Sequence, residues 1–210
     1  MGKASAFAYL FLAAPLVLAA CEQPAATDTA AVPEPTVEQA ATNSMGGHAM
    51  LPTDATDEQI VASAETAAPA AVAREATVIA MNADGTVRTV RAGTNGFTCM
   101  ADSPATPGPD PMCGDANAME FIQAWIGKKT PPDKPGFMYM LEGGTDASNT
   151  DPYATAPSEA NNWVKTGPHV MIVGGKGSLA GYPRSAQPDT TNPYVMFPDT
   201  SYEHLMLPVT

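Results

Sequence analysis

A change in composition near residue 75 limits what this chain can fold into more than any other feature. From Cys21 to about Glu75, Ala, Pro, Thr and Glu dominate, and aromatic and large aliphatic side chains are almost absent. Such a stretch buries too little apolar surface to offset the entropy of ordering it. From Ala76 onward, short apolar runs recur between turns. The expected plan is a leader over residues 1–20, an acidic tether over 21–75 and a globular domain over 76–210. Glu22 to Glu75 holds nine acidic residues and one basic, Arg74, whereas Ala76 to Thr210 holds thirteen and eight. Like charges keep a linker extended and solvated. The overall net charge of −12 argues against nucleic acid or anionic lipid headgroups as partners.

Met1-Gly2-Lys3 carries one positive charge, and Ala4 to Leu18 is a mostly apolar run shorter than a bilayer span, so the start reads as a signal peptide. The run stops at Leu18-Ala19-Ala20-Cys21, which resembles the bacterial lipoprotein lipobox. That resemblance implies cleavage before Cys21, acylation of its thiol, and a membrane as partner through the lipid. At about 0.8 kcal/mol per buried methylene, several acyl chains hold a protein on a bilayer almost permanently. Glu22 follows in place of the aspartate associated with inner-membrane retention, which points the anchor to the outer membrane, facing the periplasm.

Within the tether, Thr56-Asp57-Glu58-Gln59 has the pattern of a capping box and predicts a short helix over 56–68, ended by Pro69. The domain opens with Thr77 to Met81 and Thr86 to Arg91 around Asn82-Ala83-Asp84-Gly85, a β-hairpin pattern. Four prolines and two glycines between Ala101 and Gly114 allow no regular element. Asp115 can cap a helix through Ile126, with Ala118, Phe121, Ile122, Trp125 and Ile126 as an apolar stripe and Gly127 as its stop. Strands are expected at Phe137 to Leu141, Pro168 to Gly175, Tyr194 to Phe197 and His204 to Val209, and one or two helical turns at Ser158 to Val164. The fold class is α+β: a small, largely antiparallel sheet, rich in loops, with one covering helix at about 115–126.

With Cys21 carrying lipid, Cys99 and Cys113 remain, and an exported chain sits in an oxidising compartment. A structural disulfide follows; the spacing is far from the Cys-x-x-Cys of redox and metal sites. All three histidines precede a methionine by two positions: His48-Ala49-Met50, His169-Val170-Met171 and His204-Leu205-Met206. In a strand, residues i and i+2 share a face, so His169 and Met171, and His204 and Met206, each point the same way. Thioether with imidazole suits Cu(I), and twelve methionines is a high content for this length. If the two strands are neighbours, these four side chains converge, and His48 with Met50 closes over them from the tether. Core packing of methionine beside a satisfied histidine is the competing explanation.

Glu142, Asp146, Asp151, Glu203 and His204 are available for acid/base chemistry, but none sits in a recognisable motif, and Gly174-Gly175-Lys176-Gly177-Ser178 lacks the spacing of a phosphate loop. The segments Asn95 to Met100, Pro111-Met112-Cys113, Gly143 to Pro152 and Gly167 to Met171 together resemble a group of uncharacterised exported bacterial proteins. The resemblance covers residues 76–210 and implies a unit found behind export signals, with no activity attached. Three readings stand: a noncatalytic binding or scaffold domain with an envelope protein as partner, a periplasmic copper-binding lipoprotein, and an enzyme of unknown class.

Overall fold

The computed structural model describes residues 50–82 and 84–209. Its centre is an eight-stranded sheet built from β1 (Thr77–Met81), β2 (Val87–Arg91), β3 (Thr98–Met100), β4 (Met112–Gly114), β5 (Gly136–Met140), β8 (His169–Val173), β9 (Tyr194–Met196) and β10 (His204–Pro208). The strands lie in the order β2-β1-β3-β4-β5-β8-β10-β9. Only the β1–β3 contact is parallel, so the α+β, largely antiparallel architecture is the one the sequence pattern implies. A two-stranded ribbon of β6 (Ala147–Ser148) and β7 (Trp163–Val164) lies in the long connection after β5.

The hairpin forms where Gly85 takes φ 80, a conformation open to glycine, and Asn82 N–H donates to the Thr86 carbonyl at 2.7 Å. Met112-Cys113-Gly114 pairs as a strand inside the proline-rich segment that composition marks as irregular. The reason is covalent: Cys99 and Cys113 are directly opposite in the β3–β4 ladder and joined as a disulfide. Residues 158–162 contain no helical turn; the segment ends in the short strand β7 instead.

Each face of the sheet is covered differently. On one face lies α3 (Ala116–Ile126), whose N-cap Asp115 accepts from Ala118 N–H at 2.8 Å and from Phe137 N–H at 3.1 Å. One carboxylate therefore caps the helix and ties it to β5. Ala118, Phe121 and Ile122 are buried against the sheet and Trp125 packs on the same core, but Ile126, expected in the stripe, is 67 % exposed. Close approach is enforced at Gly136: a Cβ there would stand 2.3 Å from the Ala118 nitrogen.

The opposite face is covered at one end by α1 (Asp57–Thr66) and α2 (Ala70–Ala73), and at the other by the 3-10 turn Lys176–Leu179. The expected capping box of α1 is formed, with Thr56 and Gln59 bonding reciprocally. Ile60, Ala64, Ala67, Ala68 and Ala73 are buried over Val78 and the disulfide. Arg91 of β2 fastens the pair, bonding Glu65 and the Ala73 and Ala76 carbonyls. The folded unit thus takes in the segment from α1 onward, and the boundary expected at residue 75 lies inside it. Small alanines pack closely enough to bury a segment that composition alone marks as tether. Among the described residues, no helix is long and apolar enough to cross a membrane. Cys21 and His48 lie outside the described residues.

Candidate functional site

The face beneath α3 carries the unusual chemistry. Alternation puts Met112, Met138, Met140, His169, Met171, Met196, His204 and Met206 on it, because every second residue of a strand faces one side. The ladder fixes their rows. Met138, Met171, Met206 and Tyr194 stand side by side across β5, β8, β10 and β9. One row over, Met140 is opposite His169, and on the other flank His204 is opposite Met196.

Two residues of each strand expected to hold ligands therefore do share one face, and the strands are antiparallel neighbours. They do not converge as four. Met171 and Met206 are directly opposed, while His169 pairs with Pro208 and His204 with Val173. The imidazoles thus stand on either side of the central methionine row.

Between this face, α3 and the 144–166 connection lies a cavity of about 400 Å³, lined by both histidines, six methionines, Trp125 and Trp163. Its polar rim includes Asp110, Asp146 and Asp151. Asp146 accepts from Thr166 N–H, Asp151 from Tyr153 N–H and Asp110 from Ser103 N–H. These carboxylates hold loop backbone.

Both histidines are oriented the same way. Nδ1 of His169 lies 2.7 Å from the Gly167 carbonyl oxygen, and Nδ1 of His204 lies 2.9 Å from the Tyr202 carbonyl oxygen. A carbonyl only accepts, so each Nδ1 carries the proton and each Nε2 keeps its lone pair. Metal-ligating histidines are commonly fixed in this manner. Burial lowers the pKa of His169 against the Gly167 hydrogen bond. For His204, burial, opposed by the Tyr202 hydrogen bond and reinforced by the nearby His169, brings the value down to about 4. Both rings are neutral at neutral pH and able to act as ligands.

The two surroundings differ. Phe121, Trp125 and Phe197 surround His204 with ring centroids 5.5–6.3 Å away. His169 stands beside Gly144, where a Cβ would meet its Cε1 at 3.5 Å and the Met140 methyl at 3.4 Å. His169 and Met206 also border a smaller cavity of about 110 Å³ near Thr190 and Thr191.

Among the described residues, no three His, Cys, Asp or Glu side chains are grouped to hold a metal ion. A metal in this cavity would depend on thioethers. A second cleft, about 390 Å³, lies beside α1 and is lined by Met50, Ser63, Asp102, Pro111 and Glu142. Met50 is therefore placed away from the histidines and does not close over them. Both oxygens of Asp102 accept there, from Leu51 N–H and Asp110 N–H. Of the remaining candidate acids, Glu203 pairs with Arg184 at 2.6 Å.

No protein-family model, curated protein or solved structure matches this chain.

The sequence pattern marks His169, Met171, His204 and Met206 as candidates but not Met138, Met140, Met196 or the two tryptophans, which line the same cavity. The signal was present: Met138 and Met140 alternate within Phe137-Met138-Tyr139-Met140-Leu141, and Met196 is two residues from Tyr194. Strand order, which places them beside the histidines, was absent from the pattern.

Proposed function

We propose that this chain is a lipid-anchored protein of the bacterial cell envelope, held through Cys21 at the outer membrane, whose folded unit is a noncatalytic binding domain for Cu(I). The observation that carries the reading is the pair of buried imidazoles, each with Nδ1–H on a backbone carbonyl and both lining one cavity with six methionines. Imidazole and thioether are the ligands that favour Cu(I) over harder divalent ions. Each rim carboxylate holds a loop backbone N–H, and among the described residues no three His, Cys, Asp or Glu side chains are grouped as the oxygen-rich cage of a calcium or magnesium site would need. A purely structural methionine core needs no polar ring in its interior, because a buried polar group costs free energy unless it is fully satisfied. Here Nδ1 of each ring is satisfied, and Nε2 is not among the enclosed unpartnered side-chain atoms, which are Arg91 Nε and Asn149 Oδ1, so each Nε2 keeps accessible surface where its ring lines the cavity.

The test is competition for Cu(I) between the oxidised protein and a chromophoric chelator without air. The expected result is transfer of copper to the protein and weaker retention after His169→Leu with Met171→Leu. Unchanged retention in that variant, or no transfer at all, overturns the copper reading. The anchor is tested separately: mass spectrometry finds lipid on Cys21, and Cys21→Ala releases the protein from the membrane fraction.

A further inference from the structure

The register of the sheet relates the two His-x-Met segments by a local twofold. Met171 and Met206 are opposed in an antiparallel ladder, and each has its histidine two residues toward its own N-terminus. Rotation about the midpoint of that pair exchanges His169 with His204. It also exchanges the flanking strands: Met140 of β5 is opposite His169, and Met196 of β9 is opposite His204. The correspondence reaches the backbone, since each Nδ1 bonds the carbonyl two residues before its own histidine, in Gly167 and Tyr202.

The same register separates the two rings. His204 is opposite Val173, four residues along β8 from His169. Four residues at about 3.3 Å each, with one interstrand step, put the two Cα atoms about 14 Å apart. With each Nε2 about 4.5 Å from its own Cα and about 2.0 Å from a bound metal, two histidines share one ion only where their Cα atoms lie within about 13 Å, so this separation falls just outside that reach. The opposed methionines Met171 and Met206 stand between the rings. Each histidine, however, has thioethers of its own: Met140 across the ladder and Met171 on the same strand for His169, Met196 and Met206 in the same relation for His204.

We infer that the cavity holds two Cu(I) ions at separate, pseudo-symmetric sites, one on His169, Met140 and Met171, the other on His204, Met196 and Met206. This rests on the copper reading of the cavity and extends it from a ligand class to two sites and their ligands. The symmetry is broken where Tyr194 stands in the place of Met138 and where the aromatic rings enclose only His204. The two sites therefore differ in affinity while sharing a ligand set.

The experiment is an anaerobic titration of the whole chain, purified in detergent, with Cu(I) against a chromophoric chelator. The expected result is two equivalents bound. His169→Leu and His204→Leu each keep one equivalent, and the double variant keeps none. Because a histidine variant can disturb the fold, Met140→Leu and Met196→Leu provide volume-conserving partners. Each weakens one equivalent by about tenfold or more and leaves the other as it was. A single equivalent that vanishes in both histidine variants overturns the two-site arrangement and leaves copper binding standing. No bound equivalent in the unmodified chain overturns copper binding itself, and the two-site arrangement with it.

Discussion

Replacing both bridging cysteines, Cys99→Ala with Cys113→Ala, removes the covalent closure of the loop between β3 and β4. The pair is separated by 14 residues, and both side chains are fully buried between the sheet and α1. For a loop of that size, restraint of the unfolded chain contributes about 3 kcal/mol. The two lost sulfurs leave a small void that adds about 1 kcal/mol. Alanine is chosen over serine because a buried hydroxyl without a partner would add its own cost. The loop is also held by hydrogen bonds: Asp102 accepts from Asp110 N–H at 2.9 Å, Asp110 accepts from Ser103 N–H at 2.9 Å, and Asp102 N–H donates to Ser63 at 3.0 Å. These persist in the variant and cancel from the difference. The expected loss is about 4 kcal/mol, which at a urea slope of about 2 kcal/mol per molar moves the midpoint down by about 2 M. Fluorescence of Trp125 and Trp163 reports the transition from within the cavity. A loss below about 1 kcal/mol would refute the reasoning, because it would mean the unfolded chain gains no freedom when the bridge is removed.

Three further outcomes follow from the packing. Without metal, the chain loses stability as pH falls from about 6.5 to about 4: the unfolded state takes up a proton on His204 that the buried ring refuses, for a total of about 3 kcal/mol, and His169 acts in the same direction. The stability is fully present above about 6.5, and urea titrations with chelator show His204→Leu flattening this dependence; an unchanged slope would rule out His204 as its source. Gly136→Ala drives a Cβ to 2.3 Å from the Ala118 nitrogen and 2.8 Å from its Cα, both helix backbone, and costs about 3 kcal/mol or more by thermal melting, whereas equal stability would contradict the close seating of α3 on β5. A chain starting at residue 76 lacks α1 and α2 and exposes Val78 and the disulfide, so it digests with protease far faster than one starting at residue 46; equal resistance would restore the expected boundary.

Elements with strong local signals were legible in the sequence. Helix α3 begins at its Asp115 cap, α1 at its capping box, and the hairpin at Gly85, because each depends on residues close in the chain. Cys99 and Cys113 were legible as a pair because the expected lipobox sets Cys21 apart. Strand β4 was not, since three residues among prolines give no periodicity and the partner strand supplies the pairing. Helix α2, and the inclusion of residues 57–73 in the folded unit, were hidden by composition: the burial comes from alanines and from Arg91 reaching across the sheet edge, contacts between residues distant in sequence. The His-x-Met pairs were legible as sharing a face. That they flank a methionine row instead of meeting depends on register, which no single strand encodes.

X-ray absorption at the copper edge reads the ligands directly. The whole chain, loaded with Cu(I) without air, is expected to show an edge characteristic of Cu(I) and a first shell of two sulfurs and one nitrogen per copper. A shell of nitrogen and oxygen alone would contradict a thioether site beneath α3.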